Sequence, residues 1–116
     1  MADRSHLDLP VSELQMVLRI LAAHVPDRPV YAFGSRVAGN ARRRSDIDLA
    51  IGGTAPLPLR TRAALADEFS ESDLSIRVDV VDLATATQEF RNRIQRDWIQ
   101  LVPDVQAASR QNEVLA

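Results

Sequence analysis

The chain has 116 residues, 14 basic and 16 acidic side chains, a net charge of −2 and no cysteine. This composition predicts one folded domain rather than a disordered chain, and the slightly acidic balance argues against a general nucleic-acid-binding module. Every basic side chain among those 14 is an arginine, so mechanisms that need a lysine or a thiolate are excluded. No segment approaches the roughly 20 apolar residues of a membrane span, and the N-terminus lacks the apolar core of a signal peptide. We therefore expect a cytoplasmic protein.

The first half of the chain predicts a helix, a strand, a short helix and a second strand. Apolar residues at three- and four-residue spacing indicate a helix from Pro10 to about Val25. The apolar run 30–33 predicts a buried strand, and the small polar residues of 35–45 favour a short helix and a turn. Residues 46–51 begin with aspartates that alternate with apolar residues, and this pattern is typical of a strand with one polar and one apolar face.

The second half predicts a helix, a third strand over 75–82, and a last helix from about Thr85 to Val102. The apolar side of the earlier helix is predicted to contain Leu59, Ala63, Ala66 and Phe69. The apolar stripe of the last helix is predicted to contain Phe90, Ile94, Trp98 and Leu101. Residues 1–103 then form one α/β (α+β) domain, a sheet flanked by helices, and 104–116 form a loosely held, flexible tail.

Two aspartates lie on the same face of the second predicted strand. Asp46 and Asp48 are two residues apart, so their carboxylates project the same way and repel one another unless a cation lies between them. Oxygen ligands of this kind select Mg²⁺ or Mn²⁺. Asp79 is placed to supply a third carboxylate, because it points away from the apolar face of its own strand, whereas Asp82 shares that apolar face. The alternative interpretation of the aspartate pair is a half-exposed strand with a solvated face.

A candidate phosphate site precedes the aspartates. Gly34 and Ser35 end the first strand and open the short helix, where free backbone N–H groups and a serine hydroxyl favour a phosphate. A glycine-serine pair alone says little. Followed after ten residues by Asp46-Ile47-Asp48 and an apolar strand, it is a specific pattern.

The run Gly34-Ser-Arg-Val-Ala-Gly-Asn-Ala-Arg-Arg-Arg-Ser-Asp-Ile-Asp-Leu-Ala-Ile51 resembles the signature of the DNA polymerase β-type nucleotidyltransferases. Within them it is most similar to the minimal nucleotidyltransferases, or MNT proteins. The likeness extends over 30–82 and more weakly over 90–101. It implies a mixed sheet of about three or four strands, a nucleoside triphosphate (ATP as the donor) bound with two Mg²⁺ ions, and transfer of a nucleotide to an acceptor.

The resemblance also implies roles for individual residues. Asp46, Asp48 and Asp79 correspond to the metal-binding and catalytic carboxylates, and Gly34 and Ser35 to the residues that hold the triphosphate. Three further residues stand where the MNT pattern has them and are expected to contact the nucleotide: Arg36, Arg42 and Ser45. Arg43 and Arg44 receive no catalytic role, and the arginine run they form with Arg42 is either a steering patch or a solvated loop.

The acceptor is expected to be a protein. After Asp82 the sequence has room for little more than one helix and a tail. We therefore expect acceptor selection to come from a partner chain, from oligomerisation, or from a protein acceptor that docks on the core. MNT proteins pair with helical HEPN proteins in toxin–antitoxin modules, and the resemblance implies adenylylation of a HEPN partner, on a tyrosine. The alternative is a non-catalytic antitoxin that neutralises its partner by contact. Transfer to a small molecule such as an aminoglycoside ranks last.

Overall fold

A four-stranded mixed sheet forms the frame of the molecule, in the order β3-β2-β1-β4. Its strands are β1 (Val30–Phe33), β2 (Ile47–Ile51), β3 (Val78–Asp82) and β4 (Ile99–Val102). β2 runs parallel to β3 and antiparallel to β1, and β1 runs antiparallel to β4. The mixed α+β class predicted from the sequence is therefore confirmed.

The computed structural model describes residues 4–103, so the predicted tail 104–116 lies outside the described residues. Within the described part, no helix combines the length and apolar character that crossing a membrane requires. The helices are α1 (Val11–His24), α2 (Ser35–Ala38), α3 (Leu59–Glu71) and α4 (Gln88–Gln95).

The main core lies between one face of the sheet and the helices α1 and α3. Alternate residues of β2 (Ile47, Leu49 and Ile51) are fully buried there, as are Val17 of α1 and Leu65 of α3. Burying side chains of this size stabilises the fold by about 1.5–3 kcal/mol each. Because side chains alternate along a strand, fixing these three on the core face forces Asp48 onto the opposite face.

The predicted apolar side of α3 is wrong except at Phe69. Leu59 is 82% exposed, and Ala63 and Ala66 are exposed as well. The buried residues of the helix are Leu65 and Phe69, four residues apart. Alanines mark an apolar face weakly, so packing against α1 and the sheet selects the two large side chains instead.

The predicted last helix over 85–102 is also wrong. The chain forms a 3-10 turn (Leu83–Thr85), then α4, then β4, which pairs with β1. Thr87 caps α4, since its hydroxyl accepts a hydrogen bond from the Phe90 N–H at 3.1 Å. The apolar pattern of this segment fits a strand as well as a helix, because Ile99 and Leu101 alternate with other residues as in a strand. Both side chains are fully buried.

The second face of the sheet is covered by α4 alone among the described helices of eight or more residues. Ala50, Leu83 and Ile94 are buried there, with Phe90 and Trp98 packed against them. The predicted packing role of Phe90 and Trp98 is thus confirmed. With only eight residues, α4 covers Ala50 and leaves the neighbouring Asp48 half-buried. The candidate site lies at this partly covered end.

Candidate active site

The register of the parallel strands brings the predicted carboxylates together. Asp48 of β2 and Asp79 of β3 are directly paired positions. Asp46 lies two residues before Asp48 and extends the same face of the sheet. Asp79 is exposed, whereas Asp46 and Asp48 are half-buried. The three side chains named from the sequence therefore occupy one surface.

Burial and nearby negative charge both act on Asp48. Burial raises the pKa of Asp48, and the nearby charges of Asp79 and Asp46 raise it further. The negative charge of Asp46 is partly offset by Arg77, whose Nη2 lies 3.7 Å from Asp46 Oδ2. Two carboxylates at paired positions of adjacent strands, with a third directly before one of these strands, repel one another, and a divalent cation would offset that repulsion.

Residues 4–103 contain no three acidic or histidine side chains already converged as metal ligands. The placement still fits a divalent cation, because Asp46 and Asp79 both act on the charge of Asp48. Like charges hold such side chains apart until a cation offsets them. The all-oxygen donor set is the one that Mg²⁺ and Mn²⁺ prefer.

Gly34 allows the backbone to touch Asp48. Its φ of 85° and ψ of −156° lie in a region that is essentially restricted to glycine. A Cβ at this position would lie 2.2 Å from Asp48 Oδ2, far inside van der Waals contact. The glycine thus keeps the carboxylate against the start of α2, beside Ser35.

Arg36 holds the segment between α2 and β2. It is only 6% exposed, and its guanidinium donates to the carbonyl oxygens of Ser45 at 3.0 Å, Asp8 at 2.7 Å and Arg43 at 3.2 Å. These contacts account for its burial and give it a positioning role next to Asp46. Direct contact of Arg36 with a nucleotide stays a prediction.

Arg42 and Ser45 close a tight turn within that segment. The Arg42 N–H donates to Ser45 Oγ at 2.8 Å, and the Ser45 N–H donates to the Arg42 carbonyl oxygen at 3.0 Å. The Arg42 side chain is exposed, as are those of Arg43 and Arg44. The turn delivers the chain to Asp46, and a nucleotide contact by Arg42 or Ser45 stays a prediction.

Asp82 has a structural role, in keeping with its predicted place on the apolar face of its strand. Its carboxylate is 3% exposed, accepts from the Leu57 N–H at 2.8 Å and accepts from the Ala84 N–H at 3.0 Å. It thereby caps the 3-10 turn after β3 and holds the loop before α3. Asp79 carries none of these contacts, which leaves it available to the site.

Two cavities include one of the paired aspartates each. One, of about 570 Å³, is lined by Gly34, Ser35 and Asp48 and also by Arg93 and Arg96. The other, of about 430 Å³, lies between α3 and β3 and includes Asp79. The arginines after Phe90 were missed by the sequence analysis, because the last helix was interpreted only for its apolar stripe.

A glycine-serine turn beside Asp46, Asp48 and Asp79 is the arrangement that the resemblance to nucleotidyltransferases implied. Residues 17–104 match the family model described as "Polymerase beta, Nucleotidyltransferase". The chain belongs to this family of nucleotidyltransferases and, within it, to the MNT proteins, as the resemblance implied.

Individual relatives agree with that assignment. The chain is 46% identical over 99 residues to a probable protein adenylyltransferase MntA of Haemophilus influenzae, covering 85% of this chain and 87% of the relative. It superposes on a toxin–antitoxin crystal structure with AMP-PNP at a TM-score of 0.67 and 27% identity, covering 89% of this chain and 98% of the other. It also matches a structure of a tri-AMPylated Shewanella oneidensis HEPN toxin in complex with an MNT antitoxin, at a TM-score of 0.62 and 25% identity over 84% of this chain and 76% of the other.

The two aspartates of β3 are expected to behave differently when each is changed to asparagine. Asp79→Asn removes a charge from the reacting face, so we expect the nucleotidyl-transfer rate to fall about a hundredfold or more while the fold persists. Asp82→Asn still offers an oxygen acceptor, so the rate should change only a few-fold, with some loss of stability. Transfer rates, with circular dichroism as the folding control, measure both. An inactive Asp82 variant beside an active Asp79 variant would contradict these assignments.

Proposed function

We propose that this protein transfers AMP from ATP, with Mg²⁺, to a HEPN-type partner protein and acts as the antitoxin of a toxin–antitoxin pair. The observation that carries the proposal is the direct pairing of Asp48 with Asp79 beside Gly34 and Ser35. The relative named a probable protein adenylyltransferase and the matched toxin–antitoxin structures support the acceptor class. Use of ATP fits the cytoplasmic location expected from the sequence.

The donor nucleotide is proposed to bind in the cavity lined by Gly34, Ser35 and Asp48. There the Ser35 hydroxyl donates to a phosphate oxygen, and the glycine lets the triphosphate approach the backbone closely. Asp46, Asp48 and Asp79 would hold two Mg²⁺ ions, or Mn²⁺ in their place. These ions would neutralise the phosphates and stabilise the charge that develops on the attacking and leaving oxygens.

The acceptor is proposed to approach from the Asp79 side. A hydroxyl oxygen of the acceptor forms a bond to the α-phosphorus, and the bond from that phosphorus to the bridging oxygen of the β-phosphate breaks. AMP is then attached to the acceptor, and pyrophosphate leaves. Asp79 accepts the proton released by the hydroxyl. Asp79 is exposed, so a protein acceptor can reach this position from solvent.

Transfer of radiolabel tests the proposal. We expect label from the α-phosphate of ATP, but not from the γ-phosphate, to become attached to a HEPN-type protein encoded beside this chain. The Asp46→Asn, Asp48→Asn double variant should transfer none and should lose neutralisation of that protein. Full neutralisation by the double variant at equal concentration would instead support a non-catalytic antitoxin that acts by contact.

A further inference from the structure

The donor cavity has a second side that no motif of the sequence covers. Besides Ser35 and Asp48, its lining includes residues of α4 and of the segment directly after it, among them Arg93, Arg96 and Asp97. Its volume of about 570 Å³ lies within the range of roughly 300–1,000 Å³ usual for small-molecule and cofactor sites. Two cationic side chains thus share with the glycine-serine turn a space that a nucleotide can occupy.

Arg93 is held beside this cavity by aromatic contacts. Its guanidinium carbon lies 5.1 Å from the centroid of the Phe90 ring. The Phe90 ring in turn meets Phe33 edge to face, with centroids 5.7 Å apart, and Phe33 also lines the cavity. A cation–π contact restrains the side chain without using its N–H donors, which remain available to a ligand.

Within residues 4–103, neither Arg93 nor Arg96 forms a hydrogen bond or an ion pair with another residue, and Arg93 makes its cation–π contact with Phe90. Other arginines of the fold use their guanidinium groups to hold the backbone. Arg36 donates to three carbonyl oxygens, and Arg91, which also lies on α4, donates to the carbonyl oxygen of Leu83. The difference separates arginines that brace the backbone from arginines that face an open space.

The charged side chains that line the cavity favour an anion if the charge of Asp48 is neutralised by Mg²⁺. Asp48 belongs to the carboxylates proposed to hold Mg²⁺, so the remaining charged side chains that line the cavity are the two arginines and Asp97. A guanidinium presents a planar set of donors that matches the oxygens of a phosphate and binds two of them at once. The ligand chemistry that fits is a polyphosphate.

We propose that Arg93 and Arg96 bind the β- and γ-phosphates of ATP, the part that leaves as pyrophosphate. This assignment rests on the proposed function. The α-phosphorus must lie beside Asp48, where the transfer takes place. Arg93 and Arg96 line the same cavity as Asp48, but they come from α4 and the residue directly after it, whereas Asp48 belongs to β2. We therefore place them on the phosphates farther along the chain, on which negative charge develops as the bond to the α-phosphorus breaks.

Binding measurements on single variants test this role. Arg93→Gln and Arg96→Gln should each bind ATP and inorganic pyrophosphate about tenfold or more weakly in the presence of Mg²⁺, because each loses charge-assisted hydrogen bonds. Their affinity for AMP, which has no β- or γ-phosphate, should be unchanged. Arg60→Gln is the matched control, since Arg60 is exposed on α3 at the other face of the sheet. Titration calorimetry with the four proteins measures all these affinities.

The outcomes separate this inference from the transferase proposal. Equal ATP and pyrophosphate affinities in the wild type and both variants would overturn the phosphate role and leave the transferase proposal standing. An AMP affinity that falls as far as the ATP affinity would overturn it too, because a general disturbance of the site does not discriminate among phosphates. Absence of ATP binding by the wild type would overturn both proposals.

Discussion

Asp48→Asn is expected to lower the transfer rate about a thousandfold or more, which corresponds to about 4 kcal/mol of lost transition-state stabilisation. Asp48 is the carboxylate nearest the glycine-serine turn and the direct partner of Asp79 across the strands. The asparagine keeps the shape of the side chain and removes the charge on which cation binding depends. Single-turnover rates at saturating ATP and Mg²⁺ measure the loss.

The same substitution is expected to affect stability in the opposite sense. Without a cation, Asp48 is penalised by burial and by repulsion from Asp79 and Asp46, which is why its pKa is raised. Asp48→Asn should therefore melt at a higher temperature than the wild type in metal-free buffer. Added Mg²⁺ or Mn²⁺ should raise the melting temperature of the wild type more than that of the variant, by mass action on the folded state.

Asp67→Asn is the control for both measurements, because Asp67 is exposed on α3 and belongs to the other face of the sheet. It should match the wild type in rate and in its response to the cation. Equal cation-induced shifts in the wild type and in Asp48→Asn would place the ions at another site and contradict the assignment.

Gly34→Ala is expected to lower the transfer rate about a hundredfold or more and to destabilise the fold. The new methyl group would lie 2.2 Å from Asp48 Oδ2, so either the carboxylate or the start of α2 must move. Backbone strain adds roughly 1–3 kcal/mol, because a φ of 85° with a ψ of −156° suits glycine only. Transfer rates and thermal unfolding of the purified variant measure the two effects.

Gly39→Ala separates the strain from the displacement of Asp48. Gly39 also has a positive φ, of 87°, but a Cβ there meets nothing within 4 Å. This variant should lose about 1 kcal/mol of stability from the left-handed conformation and keep most of its transfer rate. If both glycine variants transferred AMP equally well, close contact between Gly34 and Asp48 would not matter for the site.

The parts of the structure predicted correctly from the sequence depend on short spacings. β1, α2 and β2 follow one another within 30–51, and the alternation around Asp48 fixes which side chains share a face. The same alternation distinguished the buried, capping Asp82 from the exposed Asp79, and the structure confirms that difference. Here local pattern and tertiary structure agree.

The parts that could not be predicted depend on contacts between distant segments. β4 forms because β1 has an unpaired edge, whereas the apolar spacing of Ile94, Trp98 and Leu101 fits a helix equally well. Arg93 and Ser35 are neighbours of one cavity only because α4 packs on the second face of the sheet. Burial of Arg36 under three carbonyl oxygens likewise has no signal in the sequence.

The intact mass of a HEPN-type partner, purified after incubation with this protein, ATP and Mg²⁺, tests the central claim most directly. We expect the partner to gain mass in whole AMP units with the wild-type protein and to gain none with the Asp46→Asn, Asp48→Asn double variant. An unchanged partner mass, although the wild-type protein still neutralises that partner, would contradict it.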